Sequence, residues 1–170
     1  MPALVSMLDE MMESWRGVRD GLIAEVANIP AERFGWRPTP QSRSVAEQTQ
    51  HILEVAMMAT GELTRDDTDM QRAPWPKLLA LYAKPAWKAK TRAQLLKLLR
   101  SQMKDAERRF RARGEIALWQ THRRFDGLPG TKRAWVEHAI AHEEYHRAQI
   151  ALYARLMGIT PALTKMIQGG

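Results

Sequence analysis

The sequence contains no cysteine, which excludes disulfide bonds, thiolate metal ligands and a cysteine nucleophile. It also lacks an apolar run that approaches the ~20 residues a membrane-spanning helix requires. Its first basic residue, Arg16, comes after Asp9 and Glu10, and this charge order is the reverse of that in a secretory signal. We therefore expect a soluble, cytoplasmic protein with no membrane partner.

Acidic residues are outnumbered by basic ones. The chain has 26 lysines and arginines against 19 aspartates and glutamates, a formal net charge of +7. A basic surface can attract nucleic acid, but here the basic residues are scattered and no recognition motif surrounds them. The sequence therefore predicts a solvated basic surface and no specific nucleic-acid partner.

The pattern of alternating apolar and polar residues that marks a strand is missing as well, whereas helical periodicity is abundant. Apolar residues recur at intervals of three and four in four segments, as in amphipathic helices. These segments cover residues 3–28, 44–63, 91–112 and 132–157. Residues 1–170 are therefore predicted to form a single all-α domain, a four-helix bundle.

Local signals mark where three of these helices begin. Ser44 with Glu47, and Thr91 with Gln94, have the spacing of capping boxes, and Thr131 is a suitable N-cap for the fourth helix. A cap of this kind satisfies backbone N–H groups that have no partner inside the helix. The second, third and fourth helices are therefore expected to begin at these positions.

A long connection, residues 64–90, separates the second and third helices and contains Pro74, Pro76 and Pro85. A short helix is expected at 77–83. A loop of this length in a compact domain usually has a task, and the simplest is to cross the length of the bundle. The third helix would then run parallel to the second, and Trp75 and Trp87 would pack near a pocket mouth or hold the connection onto the core.

Three of the five histidines, His138, His142 and His146, follow one another at intervals of four in the fourth helix. This spacing places them on one helix face, where two neutral imidazoles can bind one metal ion. A third ligand must come from His51 or His122, and His51 is favoured because it lies within a helical segment. The alternative is that these are buried histidines bonded to neighbouring side chains.

The motif H-E-E-Y-H-R-A-Q, from His142 to Gln149, follows the helical segment S-V-A-E-Q-T-Q-H, from Ser44 to His51. Together they resemble the DinB family of small helical metalloenzymes, and the resemblance covers nearly the whole chain. It implies an up-down-down-up bundle with a long crossover between helices 2 and 3. It also implies that His51, His142 and His146 bind a divalent metal and that His138 does not. We expect zinc or nickel, with iron or manganese as alternatives.

Several residues are expected around this metal. On the faces that carry the ligands we expect His138, Tyr145, Gln149 and Glu62 to be pocket residues. Glu143 and Arg147 fall on the opposite side of the fourth helix and are expected at solvent or at an interface. No general base is identified by the sequence, and the nearest protic groups by helix face are Glu47, Glu62 and Tyr145.

Three histidine ligands leave coordination positions open, which is typical of a catalytic metal. Such a metal can make hydroxide available near neutral pH or can activate a thiolate. The resemblance favours the second, because some relatives resemble S-transferases that use low-molecular-weight bacterial thiols. We therefore expect a thiol-dependent transferase, with a metal-dependent hydrolase or a non-catalytic dimeric binding or stress protein as alternatives. A homodimer is expected from the resemblance and from the many tryptophans and methionines.

Overall fold

The computed structural model describes residues 6–169 and is mainly helical. In chain order the α-helices of this region are α1 (Met7–Asn28), α2 (Val45–Leu63), α3 (Trp75–Ala80), α4 (Lys84–Lys88), α5 (Arg92–Arg113), α6 (Lys132–Leu156) and α7 (Ala162–Ile167). Short 3₁₀ turns occupy Ala31–Arg33 and Glu115–Trp119. The all-α prediction is confirmed, and α1, α2, α5 and α6 are the four predicted long helices. Residues 3–5 of the first predicted helix lie outside the described region.

The predicted helix starts are confirmed by their hydrogen bonds. Ser44 Oγ accepts from the backbone N–H of Glu47 at 3.2 Å, and the Glu47 carboxylate accepts from the backbone of Ser44 at 2.7 Å. Thr91 and Gln94 form the same reciprocal pair at the start of α5. Thr131 caps α6 through its side-chain oxygen. The local sequence therefore determines where these three helices begin.

Helices α1 and α6 lie side by side and run in the same direction. The indole of Trp15 donates to Glu143 at 3.0 Å, and one helix length further on the amide of Asn28 donates to the carbonyl of Thr160 at 2.8 Å. Residue numbers therefore increase in the same direction along α1 and along α6. The two helices are therefore parallel, although they are the first and the last of the bundle.

Helices α2 and α5 form the second parallel pair. The amide of Gln50, near the start of α2, donates to the carbonyl of Ala89 just before α5 at 2.7 Å. Near the other end, Gln102 of α5 donates to Thr60 of α2 at 2.9 Å. In cross-section α6 packs between α1 and α2, and α5 packs between them on the other side. The up-down-down-up order with its long crossover is confirmed.

The crossover contains two short helices, α3 and α4, where one helix at 77–83 was expected. Pro74 precedes α3, and Pro76 and Pro85 occupy the first turns of α3 and α4. Proline is tolerated there because the first N–H groups of a helix have no intrahelical acceptor. The prolines therefore begin two separate helices and do not simply interrupt one.

The expectation of no strands was wrong for one small segment. Thr121–Arg123 (β1) and Pro129–Thr131 (β2) pair antiparallel, with His122 opposite Gly130. His122, expected in a loop, is therefore a buried strand residue. Three residues per strand are too few to show a period of two in the sequence.

The expectation that Glu143 faces solvent or an interface was also wrong, whereas Arg147 is partly exposed. Glu143 is 1% exposed, and its carboxylate binds the buried guanidinium of Arg19, which also donates to the carbonyl of Leu99 at 2.7 Å. The guanidinium of Arg147 packs against Gly21 of α1. A side chain at position 21 would clash with this guanidinium. Because α6 packs against both α1 and α2, its buried surface is wider than one stripe.

The surface is less rich in methionine than expected, because most methionines are buried in the core. Of the tryptophans, Trp15 is buried, whereas Trp75, Trp87 and Trp119 are exposed as expected. Among residues 6–169, no helix combines the length and apolar character needed to cross a membrane.

Candidate metal centre

The three histidines expected to be ligands meet between α2 and α6. The Nε2 atom of His142 lies 3.3 Å from Nε2 of His51 and 3.1 Å from Nε2 of His146. His142 and His146 are one turn apart on α6, and His51 reaches them from the antiparallel α2. One nitrogen of each ring therefore points towards a common centre.

The opposite nitrogen of two of these rings contacts a residue that orients the ring. Nδ1 of His146 lies 2.8 Å from Oε1 of Gln149, an atom that can only accept, so we assign the ring proton to Nδ1; the side-chain amide of Gln48 contacts both groups. Nδ1 of His51 lies 3.5 Å from a carboxylate oxygen of Glu54. Protons held at Nδ1 leave the lone pairs at Nε2, where the three rings face one another.

The protein disfavours a positive charge on these rings. Burial lowers the pKa of His142 to about 3, with further contributions from His146, His51, His138 and Arg43. Burial also lowers the pKa of His146, although its hydrogen bond to Gln149 acts in the opposite direction. Both rings are therefore neutral at pH 7, the state in which imidazole binds a metal.

The geometry fits a divalent metal ion. Zinc binds imidazole nitrogen at about 2.0–2.1 Å, which places two ligand nitrogens of one ion about 2.8–3.4 Å apart for angles near 90–110°. The distances of 3.1 and 3.3 Å fall in this range, and suitable atoms of all three histidines lie within 4.8 Å of one another. If the three rings are neutral and carry their protons at Nδ1, their Nε2 lone pairs face one another. A cation bound between them would accept all three lone pairs.

The structure also locates the residues expected to surround this cluster. Gln149 bonds to His146, and His138 lines a cavity next to His142. Tyr145 is 63% exposed, with its ring centre 5.0 Å from that of His146. Glu62 is buried, but its carboxylate is bound by Arg72 and Tyr82, with Tyr82 donating at 2.6 Å. Gln149 therefore contacts a candidate ligand through a hydrogen bond, whereas Glu62 belongs to a separate cluster.

Glu54 was not identified as a site residue from the sequence, and Trp87 was expected only near a pocket mouth or on the core. The indole of Trp87, on α4, donates to the Glu54 carboxylate at 2.7 Å, and the same carboxylate lies beside His51. Glu54 follows His51 by three positions on α2, and residues three apart are neighbours on a helix surface. The sequence spacing could therefore have predicted the contact between these two side chains. The contact with Trp87 depends on the path of the crossover and has no sequence signal.

An apolar cavity of about 220 Å³ adjoins the histidines. It lies between α2 and α6, and the crossover and the segment between the strands complete its wall. The residues around it are His51, Val55, Met58, Ala59, Leu63, Met70, Trp75, Phe125, Trp135, His138, Ala139 and His142. The candidate metal centre is therefore next to a space in which an apolar group can be bound.

Comparison with known proteins is consistent with this arrangement. Residues 4–168 match the sequence profile of the DinB family. The fold is similar to that of a DinB-like protein from Bacillus subtilis, with a TM-score of 0.68 and 20% identity over 89% of this chain and 93% of that chain. It is also similar to a mutant of the mycothiol-dependent maleylpyruvate isomerase, with a TM-score of 0.66 and 12% identity over 85% of this chain and 61% of that chain. No curated protein matches the sequence significantly. At these identities the two structures show a shared fold.

Proposed function

The chain belongs to the DinB family, and on this premise we propose that it is a metal-dependent enzyme that transfers a low-molecular-weight thiol to an electrophilic substrate. The observation that carries the proposal is the meeting of three histidine Nε2 atoms beside an apolar cavity. We assign His51, His142 and His146 as ligands of one zinc or nickel ion, with iron or manganese as alternatives. His138 is assigned to the pocket.

Neighbouring side chains orient two of the three histidines that are assigned as metal ligands. Gln149 fixes the ring of His146, and Glu54 lies where it can fix that of His51. Three protein ligands leave coordination positions for a molecule from solution, and a divalent metal bound there lowers the pKa of a coordinated thiol. The cavity places mainly apolar side chains on one side of this centre.

The sulfur nucleophile must come from outside the chain, because the sequence has no cysteine. In the proposed transfer, the thiol sulfur forms a bond to an electrophilic carbon, and the bond from that carbon to its leaving group breaks. The leaving group departs with the electron pair, and the thiol proton passes to solvent. A fold shared with a mycothiol-dependent enzyme supports a thiol as the co-substrate. We propose a cytoplasmic location, where such thiols are kept reduced.

Metal content of single variants tests the ligand assignment. The proteins are purified without a histidine tag and dialysed against trace zinc. We expect His51→Ala, His142→Ala and His146→Ala each to lose the ion, because two imidazoles cannot complete the site. His138→Gln should keep one ion per chain. Full metal in His51→Ala, together with loss in a His138 variant, would contradict the assignment.

Turnover tests the chemistry. The zinc-loaded protein is incubated with 1-chloro-2,4-dinitrobenzene and a panel of small thiols that includes mycothiol, and thioether formation is followed. We expect thioether to form faster than in the uncatalysed reaction only when a thiol and the intact histidine trio are both present, with His51→Ala as the control that shows the background rate. Product formed from water alone would favour a hydrolase.

A further inference from the structure

We propose that the apolar cavity beside His51 and His142 is the substrate-binding site and that it accepts an uncharged group built on a single aromatic ring. The inference rests on the metal-dependent function proposed above and names the class of its electrophilic substrate. Four features of the cavity support it: its aromatic walls, the absence of charge, its size and the position of its opening.

Three aromatic side chains form one corner of the cavity. The ring centres of Trp75 and Phe125 are 4.7 Å apart at an interplanar angle of 78°, and those of Phe125 and Trp135 are 5.5 Å apart at 76°. These rings come from the crossover, the segment between the strands, and α6. Aromatic pairs prefer such edge-to-face or offset contacts, so the corner offers ring faces and ring edges to a further ring.

The wall carries no formal charge. Among the described residues that line the cavity, the polar side chains are the histidines, and none is an aspartate, glutamate, lysine or arginine. Away from the two candidate ligands, a charged group would lose its hydration without gaining a counter-charge from a protein side chain, which is costly. The wall therefore selects neutral groups, and Val55 and Met58 supply further apolar surface.

The volume fits one ring with a short substituent. The cavity measures about 220 Å³, whereas an apolar cavity of about 150 Å³ in another protein is known to hold benzene. The remaining space accommodates a few more heavy atoms. Because His51 and His142 form part of the wall, a substituent that points towards them brings its reactive carbon to the candidate metal centre.

The cavity is connected to solvent. Trp75, which is 40% exposed, and His138, which is also exposed, both contribute to the wall. These two side chains therefore lie on the side of the cavity that faces solvent. A role for His138 at the entrance agrees with its position outside the histidine trio.

Ring binding is tested by titrating the zinc-loaded protein and the chelator-stripped protein with 4-fluorobenzyl alcohol, followed by fluorine NMR. Val55→Phe should fill the cavity and weaken binding by ~10-fold or more, since a filled cavity has no room for the ligand. Met57→Phe is the matched control, because Met57 is half-buried on the same helix but lines the groove beside α5. It should leave the affinity unchanged. Ala139→Leu fills the cavity from α6 and serves as a second test.

The same titration distinguishes the possible outcomes. For the chelator-stripped protein we expect 4-fluorobenzoate to bind ~10-fold or more weakly than the alcohol, because its charge would be desolvated. Equal binding of both probes to the stripped protein, absence of binding to the parent protein, or unchanged binding in folded Val55→Phe and Ala139→Leu would overturn the inference. Zinc binding without ring binding contradicts this inference alone. Ring binding without zinc binding contradicts the proposed function, and with it the assignment of the cavity as a substrate site.

Discussion

Two of the three candidate ligands are oriented through the ring nitrogen that faces away from the centre. His146 donates to Gln149, and His51 lies beside Glu54, which in turn accepts from Trp87. A carboxylate behind a metal-binding imidazole fixes the tautomer and raises the basicity of the ligand. The affinity of the centre for metal is therefore expected to depend on residues that do not touch the ion.

Glu54→Gln is predicted to weaken zinc affinity by ~10–100-fold without loss of stoichiometry, because the charge beside Nδ1 of His51 is removed. The dissociation constant is measured by competition with a chromophoric chelator. Glu144→Gln is the matched control, because Glu144 pairs with Arg147 at 2.8 Å and lies outside the histidine cluster. The same affinity in Glu54→Gln and the parent protein would show that Glu54 does not orient His51.

His122 is a buried titratable residue that the proposed function does not use. Neither of its ring nitrogens makes a hydrogen bond of normal geometry among the described residues, although the nearby backbone of Gly130 acts to raise its pKa. Burial, and to a lesser extent the positive charge of Lys132, lower its pKa. The folded protein therefore binds a proton here less readily than the unfolded chain, in which the pKa of histidine is about 6.5.

The free energy of unfolding should fall as the pH drops below ~6.5, where the unfolded chain takes up a proton that folded His122 resists. Above that pH its contribution is fully present. His122→Phe keeps a buried ring without a titrating group and should show a smaller loss of stability between pH 7.5 and 5.0. Urea unfolding of both metal-free proteins measures the difference, and His142 and His146 contribute equally to each. Equal losses in the two proteins would contradict the prediction.

At the scale of the elements, the sequence predicts what depends on neighbouring residues. Ser44, Thr91 and Thr131 cap their helices because a cap involves groups only a few positions apart. The spacing of His142 and His146 likewise places them on one face without knowledge of the fold. His51 was assigned through its helical context and the family resemblance, and the structure brings it to the pair.

Contacts between distant elements could not be predicted in this way. Glu143 was expected at solvent because the helical projection treated only the face with the histidines as buried. In the structure α6 packs against α2 on that face and against α1 on the face that carries Glu143. Its partner, Arg19, is 124 residues away in the sequence. The bond from Trp87 to Glu54 depends in the same way on α4 returning to α2. The sequence thus identified the candidate ligands but missed groups that hold them in place.

At the scale of the whole molecule, exposed apolar side chains occur on α6 and α7. Leu152 and Leu156 are exposed one turn apart on α6, and Met166 and Ile167 are exposed at the end of α7, which packs against α1. The side chains of Arg155 on α6 and Thr164 on α7 are 3.4 Å apart. Apolar patches of this kind are common at protein interfaces, so we propose that this surface forms a homodimer.

Light scattering is predicted to give a mass near twice that of the 19.5 kDa chain. Replacing both Leu152 and Leu156 with Lys should shift the protein towards the monomer, because it places charges in the apolar contact. Ile116→Lys introduces a charge at an exposed apolar residue before β1 and is the control. A parent protein that is a monomer of 19.5 kDa at every concentration would contradict the homodimer.

The placement of α6 has a consequence for the order in which the molecule is assembled. This helix packs between α1 and α2, yet the ribosome makes it after both of them and after α5. Until it emerges, the apolar faces of α1 and α2 that it covers have no native partner, and a nascent chain in this state is prone to aggregate. His51 must likewise wait for His142 and His146, so the histidine trio can form only late in synthesis.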